Sequence, residues 1–79
     1  MTPSQCRAAR ALLNWTQPIL AAAAALGVST VIDYERERRR VSDDAVAAIQ
    51  LALETAGIQF TGGNELGVKF VSRKVKRPT

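Results

Sequence analysis

Five consecutive alanines, residues 21–25, constrain the fold of this chain more than any other stretch. Alanine is the strongest helix former and gives up no side-chain entropy when it is ordered. The run sits inside "TQPILAAAAALG", where Thr16 is a good N-cap and Pro18 is tolerated in the first turn, because an N–H there would have no intrahelical acceptor. A helix ending around Ala25 follows. Its packing faces are nearly all methyl groups, so a neighbouring helix can approach closely.

Helical spacing continues on both sides. Pro3 and Ser4 can open a first helix in which Cys6, Ala9 and Leu13 recur on one face, and Asn14 marks its end. After Leu26 and Gly27, Val31 and Tyr34 recur at i, i+3 in a third helix that runs into residues 36–40, four of which are arginine. Ser42 then caps a fourth helix. Asp43 and Asp44 in its first turn suit the helix dipole, Val46, Ile49 and Leu53 form its buried stripe, and Gly57 closes it as a left-handed cap. The period changes after that glycine. "IQF" and "VKF" alternate apolar and polar residues around the turn-rich "TGGNELG", which predicts a β-hairpin over residues 58–71, and residues 72–79 are a basic tail with no predicted structure. The expected class is mainly α, with four helices over residues 1–57 and a C-terminal β-hairpin.

At 79 residues the chain has room for one domain, and a core of that size is only marginally stabilising without disulfides, metal or a partner subunit. Histidine is absent and Cys6 is the single cysteine, which leaves no intramolecular disulfide, no zinc cluster and no Ser-His or Cys-His pair. Asp43 and Asp44 are helix-start residues rather than a catalytic pair, since adjacent helix positions do not face one another. The expectation is therefore a non-enzyme with no metal, cofactor or small-molecule ligand, and with a partner subunit. The N-terminal stretch lacks the apolar centre of a signal peptide, and the longest apolar run, residues 19–28, is too short to span a bilayer. A soluble, cytoplasmic protein is expected. Eleven Lys and Arg against seven Asp and Glu leave a net charge of +4. The positive charge clusters in residues 36–40 and 69–77, which points to a polyanionic partner.

Two short helices joined by a tight turn, the second running into arginines, have the layout of a helix-turn-helix, whose second helix lies in the DNA major groove. Within "WTQPILAAAAALGVSTVIDYERERRR", Gln17 opens the second helix, Leu20 is its core residue and Ala21 is the small contact beneath the third helix. Ala24, Leu26, Val31 and Tyr34 fill the remaining buried positions without a gap. On these residues, from Arg10 to Ser42, the chain resembles the XRE family of bacterial transcriptional regulators, the phage-repressor and Cro class. The resemblance implies a phage-repressor-like helix-turn-helix domain that binds a double-stranded DNA operator. It also implies an arginine on the first helix set against a glutamate ending the third, here Arg10 and Glu35, as a partly buried structural ion pair. Three positions depart from the family pattern. Ala25 stands where glycine is usual, and alanine in the left-handed region costs roughly 1–2 kcal/mol, which predicts a slightly remodelled turn. Pro18 and Ala22 replace residues that are usually polar, leaving the second helix short of side chains for phosphate.

Opposite Val31 and Tyr34 the third helix projects Val28, Ser29, Ile32 and Asp33, the expected base-reading residues. None is the Arg, Asn or Gln that makes bidentate base contacts, but Val28 and Ile32 can meet thymine methyl groups, Ser29 can bond a base or a phosphate, and Asp33 can accept from a cytosine amino group. The competing readings are Ile32 at the edge of the core and Asp33 as a solvated helix position. Phosphate contacts are expected from Gln17, Thr30, Arg36, Arg38, Arg39 and Arg40, with Glu37 trimming the charge. Trp15 reads as a core residue between the first two helices, and Cys6 as a small buried hydrophobe. Ile58, Phe60, Val68 and Phe70 give the hairpin an apolar face that the fourth helix can cover in part and a second copy in the rest. That predicts a homodimer on a two-fold operator, against a monomer whose hairpin folds onto its own fourth helix. The functional expectation is a sequence-specific regulator that represses by occupancy. A protein-interaction adaptor on the same scaffold and the DNA-binding antitoxin of a toxin pair are the other readings the residues allow.

Overall fold

The computed structural model describes residues 1–62 and 66–71. Four helices come first, α1 (Pro3–Leu13), α2 (Gln17–Ala24), α3 (Val28–Arg36) and α4 (Asp43–Thr55), followed by strands β1 (Ile58–Thr61) and β2 (Gly67–Phe70). Three helices begin where a side-chain hydroxyl accepts a first-turn N–H: Thr2 from Gln5, Thr16 from Ile19 and Ser42 from Ala45. At α1 the cap is reciprocal, because Gln5 Oε1 accepts from the Thr2 N–H at 2.9 Å. Gly27 opens α3 without a side-chain cap.

The first three helices end in one way. Asn14 (φ 62°), Ala25 (φ 58°) and Glu37 (φ 54°) are left-handed, and the residue after each sends its N–H back five positions, Trp15 to Arg10, Leu26 to Ala21 and Arg38 to Asp33. This is the Schellman arrangement, made three times without a glycine. Ala25 thus accepts the left-handed strain itself, and the turn is not remodelled as the departure from glycine predicts. The end of α4 also differs from expectation. Ala56 (φ −81°) closes it in the right-handed region, and Gly57 follows with φ 111°, well beyond the αL value, where glycine alone sits without strain.

Leu20, Ala21 and Ala24 are buried on α2 while Ala22, Ala23 and Ala25 are exposed, so the alanine run supplies one helical stripe to the core. Through it α2 packs against both α3 and α4, and the axes of α2 and α3 turn through 115° across residues 25–27. Cys6, Ala9, Val31, Ile49, Leu53 and Ile58 complete the buried cluster, with Trp15 and Tyr34 half-buried against it. Val46, expected in the buried stripe of α4, is only half-buried.

In the hairpin Ile58 pairs with Phe70, Gln59 with Lys69, Phe60 with Val68 and Thr61 with Gly67, antiparallel. That register sets Ile58, Phe60, Val68 and Phe70 on one face, as their alternation predicts. The cover over this face is broader than expected, since α1 packs on β2 as α4 packs on β1. Gln5 fastens the contact: its Nε2 donates to Thr61 O and to Gly67 O at 2.9 Å each. The middle of the predicted loop, residues 63–65, and the basic tail, residues 72–79, lie outside the described residues. Among the described residues no single helix is long and apolar enough to cross a membrane.

Candidate nucleic-acid interface

Glu35, in the last turn of α3, anchors that helix to the two before it. The residue is 1% exposed. Burial pushes its carboxyl pKa up, but four hydrogen bonds outweigh burial and hold it below the ordinary carboxylate value. Arg10 donates through Nε to Oε2 at 2.7 Å and through Nη2 to Oε1 at 2.8 Å, Gln17 Nε2 donates to Oε1 at 3.0 Å, and Cys6 Sγ donates to Oε2 at 3.2 Å. The fork from Arg10 is the bidentate geometry that makes an arginine–carboxylate pair both strong and directional. The same bond raises the Arg10 pKa, so the guanidinium stays charged. Burial and then the bond to Glu35 push the Cys6 thiol up, which keeps its proton on sulfur as a donor. Arg10 Nη1 also donates to Trp15 O at 3.0 Å, and Arg7 donates to the Glu35 carbonyl and to Ser4 Oγ.

This cluster contains the expected Arg10–Glu35 pair and two side chains read otherwise from the sequence. Gln17, expected on phosphate, turns its amide inward to Glu35. Cys6 is a hydrogen-bond donor as well as a core atom. The spacing of Cys6 and Arg10, i and i+4 on one helix face, is the signal that could have placed both on one acceptor. For Gln5 the signal was the "TPSQ" capping-box pattern. Nothing in the sequence marks Arg7.

With its inner side fixed, α3 turns its other side outward. Val28 and Ser29 are exposed, and Thr30, Ile32 and Asp33 are half-buried, so Ile32 sits at the margin of the core rather than inside it. Arg36 lies in the last turn of α3, and Arg38, Arg39 and Arg40 follow it, all exposed. Two candidates from different expected roles are joined here: Arg39 Nε donates to Asp33 Oδ2 at 2.7 Å. Arg39 Nη1 donates to Arg40 O at 3.3 Å. α3 and the residues after it thus turn methyl, hydroxyl and guanidinium groups to solvent, the chemistry that meets thymine methyls, base edges and phosphates.

The four candidate dimerisation residues divide. Ile58 is 4% exposed within its own core, Phe60 and Val68 pack half-buried against it, and Phe70 is 51% exposed. Phe70 borders an open groove of about 840 Å³ whose walls include Leu13, Trp15, Ala48, Leu51 and Ala52, and among the described residues no charged side chain lines it. No protein-family model matches this chain, and no curated protein matches it either.

Proposed function

We propose that the chain is a sequence-specific DNA-binding regulator of the XRE type, with α2 and α3 as its helix-turn-helix, and that it represses by occupying a two-fold operator as a homodimer. The observation that carries this reading is α3, with Val28, Ser29 and Ile32 toward solvent and four exposed arginines in its last turn and just after it. The 115° turn between α2 and α3 supports it, because two short helices crossing steeply through a tight turn have the layout of a helix-turn-helix. The Glu35 cluster supports it as well, by holding α3 rigid against α1 and α2 before any ligand arrives.

Arginines on phosphate release counterions, so log affinity for a duplex falls linearly with log salt, by about 0.9 for each phosphate neutralised. Fluorescence titration of a labelled duplex at several salt concentrations measures the slope. Replacing Arg38 and Arg40 together with alanine flattens it and weakens cognate and random duplexes alike. Absence of binding to any duplex at low salt would sink the reading. The uncharged groove favours the second reading, a protein-interaction adaptor, and that outcome would leave it standing.

A further inference from the structure

The geometry points to Arg39, held in place by Asp33, as the residue that reads a guanine. This inference rests on the DNA-binding reading above. The outer face of α3 otherwise offers methyl groups and single hydroxyls from Val28, Ser29, Thr30 and Ile32, none of which makes two directed bonds to one base. Arg39 supplies what is missing. Its guanidinium can give two parallel N–H bonds to guanine O6 and N7, the commonest specific contact in the major groove.

Three details of the pair support this assignment over a phosphate contact. Arg39 lies six residues beyond Asp33, yet its Nε is drawn back to the α3 carboxylate at 2.7 Å. With Nε held by Asp33 and one N–H of Nη1 on Arg40 O at 3.3 Å, the second N–H of Nη1 and both N–H groups of Nη2 have no partner among the described residues, and these two nitrogens are the ones that can give the pair of bonds to a base. The side chain of Arg39 is 53% exposed and that of Asp33 22%, so the arginine is accessible while its support is partly sheltered. An ion pair this exposed adds little to stability, so changing either partner is expected to leave the fold intact. Asp33 also needs the arginine. A bare carboxylate on a surface facing a polyanion is repelled, and pairing removes that repulsion. Asp33 is therefore a positioning residue, and Arg38 and Arg40 on either side remain for phosphate.

The test is selection of duplexes from a pool with a randomised core, using the full chain and the variants Arg39→Lys, Asp33→Asn and Arg38→Ala. Circular-dichroism melts confirm that each variant is folded. The full chain is expected to enrich guanine at one fixed position in each half-site. Arg39→Lys keeps the charge and loses the fork, so it should lower that preference about tenfold or more while leaving the salt slope and random-duplex affinity nearly intact. Asp33→Asn should weaken preference at the same position and raise random-duplex affinity, whereas Arg38→Ala should weaken all duplexes equally. Unchanged base preference in Arg39→Lys would overturn the inference, with Arg39 then acting as a phosphate-bound charge. Loss of preference in Asp33→Asn at a different position from Arg39→Lys would overturn it too, since Asp33 would be reading its own base. A chain that binds no duplex at all overturns the DNA-binding reading itself, an outcome distinct from both.

Discussion

Glu35 keeps its charge in a place where a lone carboxylate would take up a proton, and everything around it serves that end. Removing its cationic partner in Arg10→Met leaves only the neutral donors Gln17 and Cys6. Loss of one member of a buried pair costs about 3–5 kcal/mol, so urea denaturation of Arg10→Met should show a loss of that order. The pH dependence follows from the lowered pKa. The unfolded carboxylate titrates near its ordinary value of 4.5 and the folded one below it, so this contribution is fully present above pH 4.5 and lost as pH falls through the folded pKa. Thermal midpoints taken downward from pH 7 should fall less steeply below 4.5 in Glu35→Gln than in the unaltered chain. Of this cluster the Arg10–Glu35 pair was legible, through the family resemblance. The inward turn of Gln17 was not, because its position at the start of a helix fits a phosphate contact equally well until the carboxylate of α3 is placed beside it.

At the level of elements, local signals read well and long-range ones did not. Thr16, Ser42 and Asn14 mark helix ends through bonds spanning three to five residues, and the hairpin face follows from strict alternation. Ala25 takes up the left-handed position expected of it, but the remodelling expected there is not seen: the Leu26 N–H bond back to Ala21, with Leu26 half-buried, holds the residue left-handed. Ala25→Gly should therefore stabilise the protein. It relieves roughly 1–2 kcal/mol of left-handed strain and returns about 0.4–1 kcal/mol through the looser unfolded chain, for a net gain of about 0.5–1 kcal/mol in urea denaturation. The attachment of α1 to the hairpin was hidden, because Gln5 and Thr61 lie 56 residues apart and neither carries a sequence signal for the other. Gln5→Ala removes both donations to the hairpin and the return half of the α1 cap. With Thr61 O and Gly67 O left without that donor, a loss of about 1–3 kcal/mol is expected. Hydrogen exchange should quicken in β1 and β2 ahead of α4.

For the whole molecule, charge and apolar surface together decide how two copies can meet. Each carries a net +4, so association is opposed wherever arginines face one another. Among the described residues the groove beside Phe70 is lined without charge, and Leu51 at its rim is 63% exposed, which makes it an apolar face on which two copies can be tested for contact. The interface expected from the sequence lay on the hairpin, and the candidate is now the groove instead. Tethering by Gln5 commits Ile58, and most of Phe60 and Val68, to the chain's own core, so of the four hairpin candidates Phe70 remains, joined by α4. In a two-fold contact the same patch, with Leu51 and Phe70 in it, would serve both copies. A stable interface of this kind buries about 1,200–2,000 Å² in total, which requires the contact to extend along α4 beyond the groove itself. Truncation after Gly57 is a poor test, because it would strip Ile58 from the core. Leu51→Lys and Phe70→Lys change exposed positions and leave the core intact. Light scattering at micromolar concentration should give the mass of two chains for the unaltered protein and of one for either variant, with thermal midpoints of the variants falling only as far as lost dimerisation accounts for. The variants should also bind a palindromic duplex more weakly than the unaltered protein while matching it on a single half-site. A one-chain mass for the unaltered protein, or a two-chain mass persisting in both variants, would remove the groove as the contact between copies.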